Sequence, residues 1–391
     1  MNRPIITLTK ISANFARYVD WLAAGLGEMQ LLGEAEFRCD LQPVNRLLGI
    51  NGPRWLIRRL MPRVFHEVDG GPVFEGTVQV ADKVVRFCYD VDDRPFWFDL
   101  NALQDTDIYF KAQMPRDFPG PFHLSSELAY PLPASVIECA DRVRPAMLGR
   151  PLARSLKPAP NKAVLDAWSR HGEIEPDGSL FAYFGGISNE MTKPMTMECG
   201  RVGSRPPRFR VTGAPASSDY PSSGPAGHPN QKRLDLVRLL RGWNDPRIDA
   251  RMVSAPDASV VGPEISDPLE YARRLARFDW NCNITGLYGS MPFRFADAFA
   301  MGRGVITDDL VVRWYEPFDA DCEVRELGPM GYEPAEKVDW QRATAVLKKA
   351  AEDSDPASSR ERRAHIRSRY ERLWNPLAFA RYLTRECVNS L

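Results

Sequence analysis

The chain has 391 residues, 44% hydrophobic and 10% aromatic, enough for about two domains with buried cores, and this excludes a disordered chain. Its charges cancel, 51 Lys+Arg against 51 Asp+Glu, which argues against a dedicated nucleic-acid binder. No run approaches the roughly 20 apolar residues of a membrane span, and the N-terminal MNRPIITLTKISANFARYVDW has too short an apolar core for a signal peptide.

In chain order, residues 6–11 read as a strand and Asn14 to Leu26 as an amphipathic helix. Residues 74–80 and 83–90 alternate with period two about an Ala81-Asp82 turn, which predicts a hairpin. Asp107 to Lys111 reads as a buried strand, followed by a connection carrying Pro115, Pro119 and Pro121. Residues 150–178 turn polar and irregular, so the domain boundary is placed there. The expected division is a domain over 1–165, a second over 166–370, and a closing helix over 371–391.

Beyond that seam, strands at 179–187, 248–255, 280–286 and 304–309 alternate with helices at 231–242, 267–278 and 292–302. Strands apolar throughout, separated by helices, predict a parallel Rossmann-like sheet covered on both faces. Residues 201–230, rich in Pro, Gly and Ser, read either as an insertion or as an acceptor-binding loop. Two further helices precede a last one, capped by Asn375 with Pro376 in its first turn.

The seven cysteines are scattered and form no CxxC pair, the usage of reduced thiols in a cytosolic protein. The five histidines are equally dispersed, with no HExxH or His/Cys cluster, so no metal site is expected.

Chemistry concentrates in residues 283–309, NITGLYGSMPFRFADAFAMGRGVITDD. Gly286 and Gly289 let a backbone approach a ligand closely, and the 179–187 strand ends in Gly185 and Gly186. Ser290 and Pro292 suit a helix cap and first turn, whose free N–H groups would receive a phosphate. Arg294 can add a bidentate phosphate contact, and Asp297, one turn on, can accept from sugar or ribose hydroxyls. The plainer reading of Asp297 is a solvated helix residue.

The run PFRFADAFAMGRGVITDD resembles the C-terminal donor segment of GT-B glycosyltransferases, most of all their exostosin-like and family-1-like branch. The resemblance implies an α/β fold of two Rossmann-like domains facing a cleft, with C-terminal helices crossing back to the first domain. It assigns Asp297 to the nucleotide ribose, with Asp where that family usually has Glu. It assigns Arg294, Gly289 and Ser290 to the donor phosphates, and Gly185, Gly186 and Lys193 to the diphosphate. Lys193 reads equally well as an exposed lysine after a Gly-Gly turn.

An enzyme of this kind needs a base on its acceptor side. Candidates are Asp90 and Asp92 at the end of a strand, His123, and behind these Asp93, Asp107 and His66; the acidic run also reads as an exposed turn. Asp90-Val91-Asp92 and Asp105-Thr106-Asp107 have the spacing of a GT-A metal motif, but neither sits in a GT-A context. Residues 53–63, basic with interleaved Trp, Leu and Ile, are a candidate peripheral contact with the inner face of a membrane, or a basic face packed inward along its apolar stripe. The expected function is transfer of a sugar from a nucleotide-sugar donor to a glycan or lipid-linked acceptor in bacterial surface polysaccharide synthesis. It would be a cytoplasmic, metal-independent enzyme without a resident cofactor and without a nucleic-acid partner. The alternatives are a sugar-nucleotide epimerase or hydrolase on the same fold, and a non-catalytic glycan-binding subunit.

Overall fold

The computed structural model describes residues 3–11, 18–40, 73–150, 152, 158–174, 177–185, 229–252, 255, 257–262, 265 and 268–391. The N-terminal half is built on strands β1 (Ile5–Ile11), β2 (Glu36–Cys39), β3 (Val73–Val80), β4 (Lys83–Asp90), β5 (Ile108–Lys111), β6 (Met114–Pro115), β7 (Phe122–His123), β8 (Ala129–Tyr130) and β9 (Val143–Pro145). Its helices are α1 (Val19–Leu31), α2 (Leu100–Asp105) and α3 (Ala134–Glu138). Six strands form one sheet in the order β2-β1-β3-β4-β5-β9. The sheet is mixed: β3 runs antiparallel to β1 and β4, while β2, β5 and β9 pair in parallel with their neighbours. The two-residue turn at Ala81, which takes φ 55°, closes the β3–β4 hairpin and thereby sets one reversed strand inside an otherwise parallel sheet.

Helix α4 (Pro158–Gly172) opens the C-terminal half, occupying the seam that composition marks as irregular. It forms because Val164, Leu165 and Trp168 share a face that packs into the core. There follow β10 (Ser179–Gly185), α5 (Pro229–Gly242), β11 (Ile248–Met252), α6 (Pro268–Leu275), β12 (Phe278–Cys282), α7 (Arg294–Ala300) and β13 (Gly304–Thr307). Strands β14 (Val312–Arg313) and β15 (Val324–Glu326) lead to α8 (Trp340–Glu352), α9 (Pro356–Arg369) and α10 (Pro376–Asn389).

The second sheet, β11-β10-β12-β13-β15, is parallel throughout. Its strands bury both faces, as their sequences require. Phe181 and Tyr183 point to a core shared with α5 and α8, and Ala182 and Phe184 to one shared with α6 and α7.

That second core continues without a break into the N-terminal half. Helix α10 packs against α1 and the β3–β4 hairpin, so closely that a Cβ on Gly25 would stand 1.9 Å from Pro376 O. Its Tyr382 stacks on Tyr315 with ring centroids 4.1 Å apart. Strands β6 and β14 pair across the two halves. The buried Gln113 amide donates to Met291 O and accepts from Met291 N–H, at 2.9 Å each. Among the described residues no helix is long and apolar enough to cross a membrane.

Candidate functional site

Numbered along the chain, the parallel sheet has the order 2-1-3-4-5, so its connections reverse direction between β10 and β12. Open α/β sheets bind ligands beyond the carboxyl ends of their strands at such a crossover. There β10 ends at Gly185 and β12 at Cys282, and Asn283 to Ser290 form the lip.

The lip is pinned by Asp308, just past the end of β13. Its carboxylate accepts from Thr285 N–H and Oγ1, at 2.7 Å each, and from Thr307 Oγ1 and Gly331 N–H. Burial pushes the Asp308 carboxyl up and these donors pull it down. Gly286 N–H donates to Ser290 O at 2.7 Å, and a Cβ on Gly286 would meet Ser290 Oγ at 2.5 Å. Gly289 takes φ 72°, the left-handed conformation that favours glycine.

Helix α7 opens at Arg294 rather than Pro292, with Phe293 at its cap position and no capping side chain. Ser290 is drawn back into the preceding turn instead. A helix of seven residues offers no useful anion site at its start, so charge recognition falls to side chains. Arg294 Nη1 lies 3.4 Å from Asn283 Oδ1. Arg233 of α5, 7% exposed, donates to Thr285 O at 2.9 Å. Burial lowers the Arg233 pKa, and the neighbouring Arg294 adds to that. Tyr183 of β10 feels both guanidinium groups, which oppose the upward push of burial on its hydroxyl.

Asp297 of α7 is 2% exposed and paired with Arg150, from the connection between β9 and α4. The guanidinium carbon of Arg150 lies 5.1 Å from the Trp168 ring and 5.3 Å from the rings of both Tyr271 and Phe293. Cation–π attraction from several faces holds it there. Burial raises the Asp297 carboxyl to about 6, against the pull of Arg150 and Arg294. Only one of its oxygens is used. Asp297 Oδ1, Tyr271 Oη and Asn283 Nδ2 are buried without a hydrogen-bond partner among the described residues. Buried polar atoms are paired in the great majority of cases, and these three open ones gather around Arg294.

Beside the lip a cavity of about 360 Å³ opens between the halves. Arg116, His123 and Ser125 line it from the N-terminal half, and Thr285, Gly289 and Asp309 from the other. Burial and the nearby Glu326 raise the Asp309 carboxyl, and its Oδ1 has no hydrogen-bond partner among the described residues, with the Arg342 guanidinium 3.9 Å away. Arg294 and Asp297 do not line this cavity.

Asp90 and Asp92 do not reach it either. Asp90 has no exposed surface. Its Oδ2 accepts from Tyr109 Oη at 2.6 Å and Lys111 Nζ at 2.8 Å, and its Oδ1 from Asp92 N–H at 2.8 Å. Asp92 takes Arg94 in a two-pronged pair, at 2.8 and 2.7 Å. Of the candidate bases among the described residues, His123 lines the cavity and Asp90, Asp92, Asp93 and Asp107 do not, while His66 lies outside the described residues. Gly185 closes β10 at the crossover; Gly186, Lys193 and residues 53–63 lie outside the described residues.

The residues that sequence reasoning missed are Arg150, Arg233, Tyr271 and Asp309. Asp309 follows a parallel strand on the ligand side of the sheet, a signal that could have found it. Arg150 is one arginine in a polar stretch and carries no local signal. No protein-family model matches the chain, and no curated protein matches it either.

Proposed function

We propose that the chain is a GT-B-type glycosyltransferase that moves a sugar from a nucleotide-sugar to a glycan or lipid-linked acceptor. The observation that carries this reading is the cluster of open polar atoms around Arg294 at the crossover of the parallel sheet. A nucleotide diphosphate matches it in charge, through Arg294 and Arg233. A ribose matches it in hydrogen bonding, through Asp297 Oδ1 and Tyr271 Oη.

The chemistry follows from that placement. As the glycosidic bond to phosphate breaks, negative charge grows on the leaving oxygens, and guanidinium groups already fixed there stabilise it. The sugar points toward the cavity shared by the two halves. There His123 or Asp309 takes the proton from the acceptor hydroxyl. Asp90 and Asp92, held by Lys111 and Arg94, keep the N-terminal sheet in shape and do not act on substrate.

Thermal unfolding with UDP, GDP, CMP and dTDP tests the reading. One nucleotide should stabilise the wild type by about 2.7 kcal/mol at a hundred times its Kd, and Arg294→Ala should lose that gain. If none of the four stabilises the wild type, the reading falls. Loss of turnover by about 10²–10⁴-fold in His123→Ala or Asp309→Asn, with nucleotide binding kept, identifies the base.

A further inference from the structure

One group of three metal-ligating side chains comes together among the described residues. The ligand atoms of Asp319, Cys322 and His365 lie within 4.8 Å of one another. Asp319 and Cys322 belong to the turn between β14 and β15, and His365 projects from α9. Asp319 Oδ1 accepts from the N–H groups of Asp321, at 3.1 Å, and Cys322, at 3.2 Å. Its Oδ2 lies 3.0 Å from His365 Nε2.

We propose that Asp319, Cys322 and His365 form a binding site for a divalent transition metal of the zinc and cobalt class, with water completing the coordination shell. It is independent of the nucleotide-sugar reading.

Three features support it. The donor set is one thiolate, one imidazole and one carboxylate, which selects zinc-like ions over the hard calcium and magnesium ions. The carboxylate is already oriented, because two backbone N–H groups hold Oδ1 and leave Oδ2 turned toward the imidazole. The site is also open to solvent: His365 is exposed, and Asp319 and Cys322 are half-buried.

The Cys322 sulfur binds the metal as thiolate. On binding, the S–H bond breaks, the sulfur electron pair goes to the metal, and the proton leaves to solvent. The arginines whose charge reaches Cys322 have partners of their own: Arg325 donates to Asp353 at 2.8 Å, and Arg362 lies 3.2 Å from Asp279. The bound ion would clamp α9 to the β14–β15 turn and so fasten the C-terminal helices to the parallel sheet.

The test uses the full chain, stripped with a chelator and titrated with zinc or with cobalt(II). The expected result is one ion per chain and a thiolate-to-cobalt charge-transfer band. His365→Ala, on an exposed helical position, should weaken affinity by at least the roughly 10–100-fold that even an outer-shell partner is worth. Cys322→Ser should lose the band while Cys39→Ser, a distant exposed thiol, keeps it. The proposal is overturned if the wild type takes up no ion, if uptake is unchanged in His365→Ala, or if the band follows Cys39 instead of Cys322. Since His365→Ala changes an exposed side chain and removes only its contact with Asp319, a folding failure of Cys322→Ser does not shield the proposal.

Discussion

Two acids, Asp90 at the end of β4 and Asp297 in α7, are almost equally buried and oppositely wired. Asp90 is closed: both oxygens are bonded, and Lys111 and Tyr109 come from the neighbouring strand of the same sheet. Asp297 is open: one oxygen is bonded to Arg150, 147 residues earlier in the chain, and the other has no partner among the described residues. A saturated buried charge is a strut, since any ligand would have to break bonds already made. An unsaturated one carries a standing penalty that a ligand can relieve. Burial alone therefore does not separate Asp90 from Asp297; the count of satisfied lone pairs does.

The largest test of this contrast removes the cations. Lys111→Ala leaves a carboxylate with no exposed surface uncompensated, and should cost about 3–5 kcal/mol in urea unfolding. Arg150→Ala should cost clearly less, because Arg150 keeps 13% of its side chain exposed and solvent can reach the gap it leaves. Equal losses would erase the distinction.

Burial raises both carboxyls to about 6, so pH does not separate the two acids but tests whether burial governs Asp297. The folded-state pKa of Asp297 is raised to about 6 from 3.8, so the fold prefers the neutral acid. Its stabilising contribution is complete below the unfolded value and is lost as pH rises through about 6. Relative to Asp297→Asn, the wild type should lose up to about 3 kcal/mol between roughly pH 4 and pH 6. Urea midpoints of both proteins at several pH values measure this, and a flat difference would mean that burial does not govern Asp297.

Hydroxyl deletions give the smaller effects. Tyr109→Phe takes a donor from Asp90 and an acceptor from Asp99 N–H, and should cost about 1–3 kcal/mol. Tyr271→Phe removes a hydroxyl that bonds nothing among the described residues. It should change stability by no more than about 0.5 kcal/mol and show its effect only as weaker nucleotide binding. A large loss of stability there would close the site that the open atoms suggest.

Much of the C-terminal half is legible residue by residue. Apolar runs such as 179–185 become strands buried on both faces, and Asn375 caps α10 by accepting from Ala378 N–H at 2.7 Å. Other features resist such reading. Composition makes 158–172 an irregular seam, because the helix there presents only a narrow apolar stripe, and that stripe matters only once a core exists to receive it. The antiparallel β3 hides in the same way, since period-two alternation fixes the hairpin but not the sheet it joins.

What the sequence determined by itself is local: the alternation of strand and helix after residue 178, the hairpin, the Asn375 cap, and the glycine turn at 286–289. Each depends on residues a few positions apart, where spacing and backbone preference act directly. Only the tertiary structure decided which charges meet. Arg150 reaches Asp297, Arg233 reaches the 285 carbonyl, and His365 reaches Asp319 and Cys322 through the closing of long loops, at an entropic cost that core burial offsets. Cysteines and histidines that look scattered along the chain can therefore share one site in space, and an aspartate read as free can already hold an arginine.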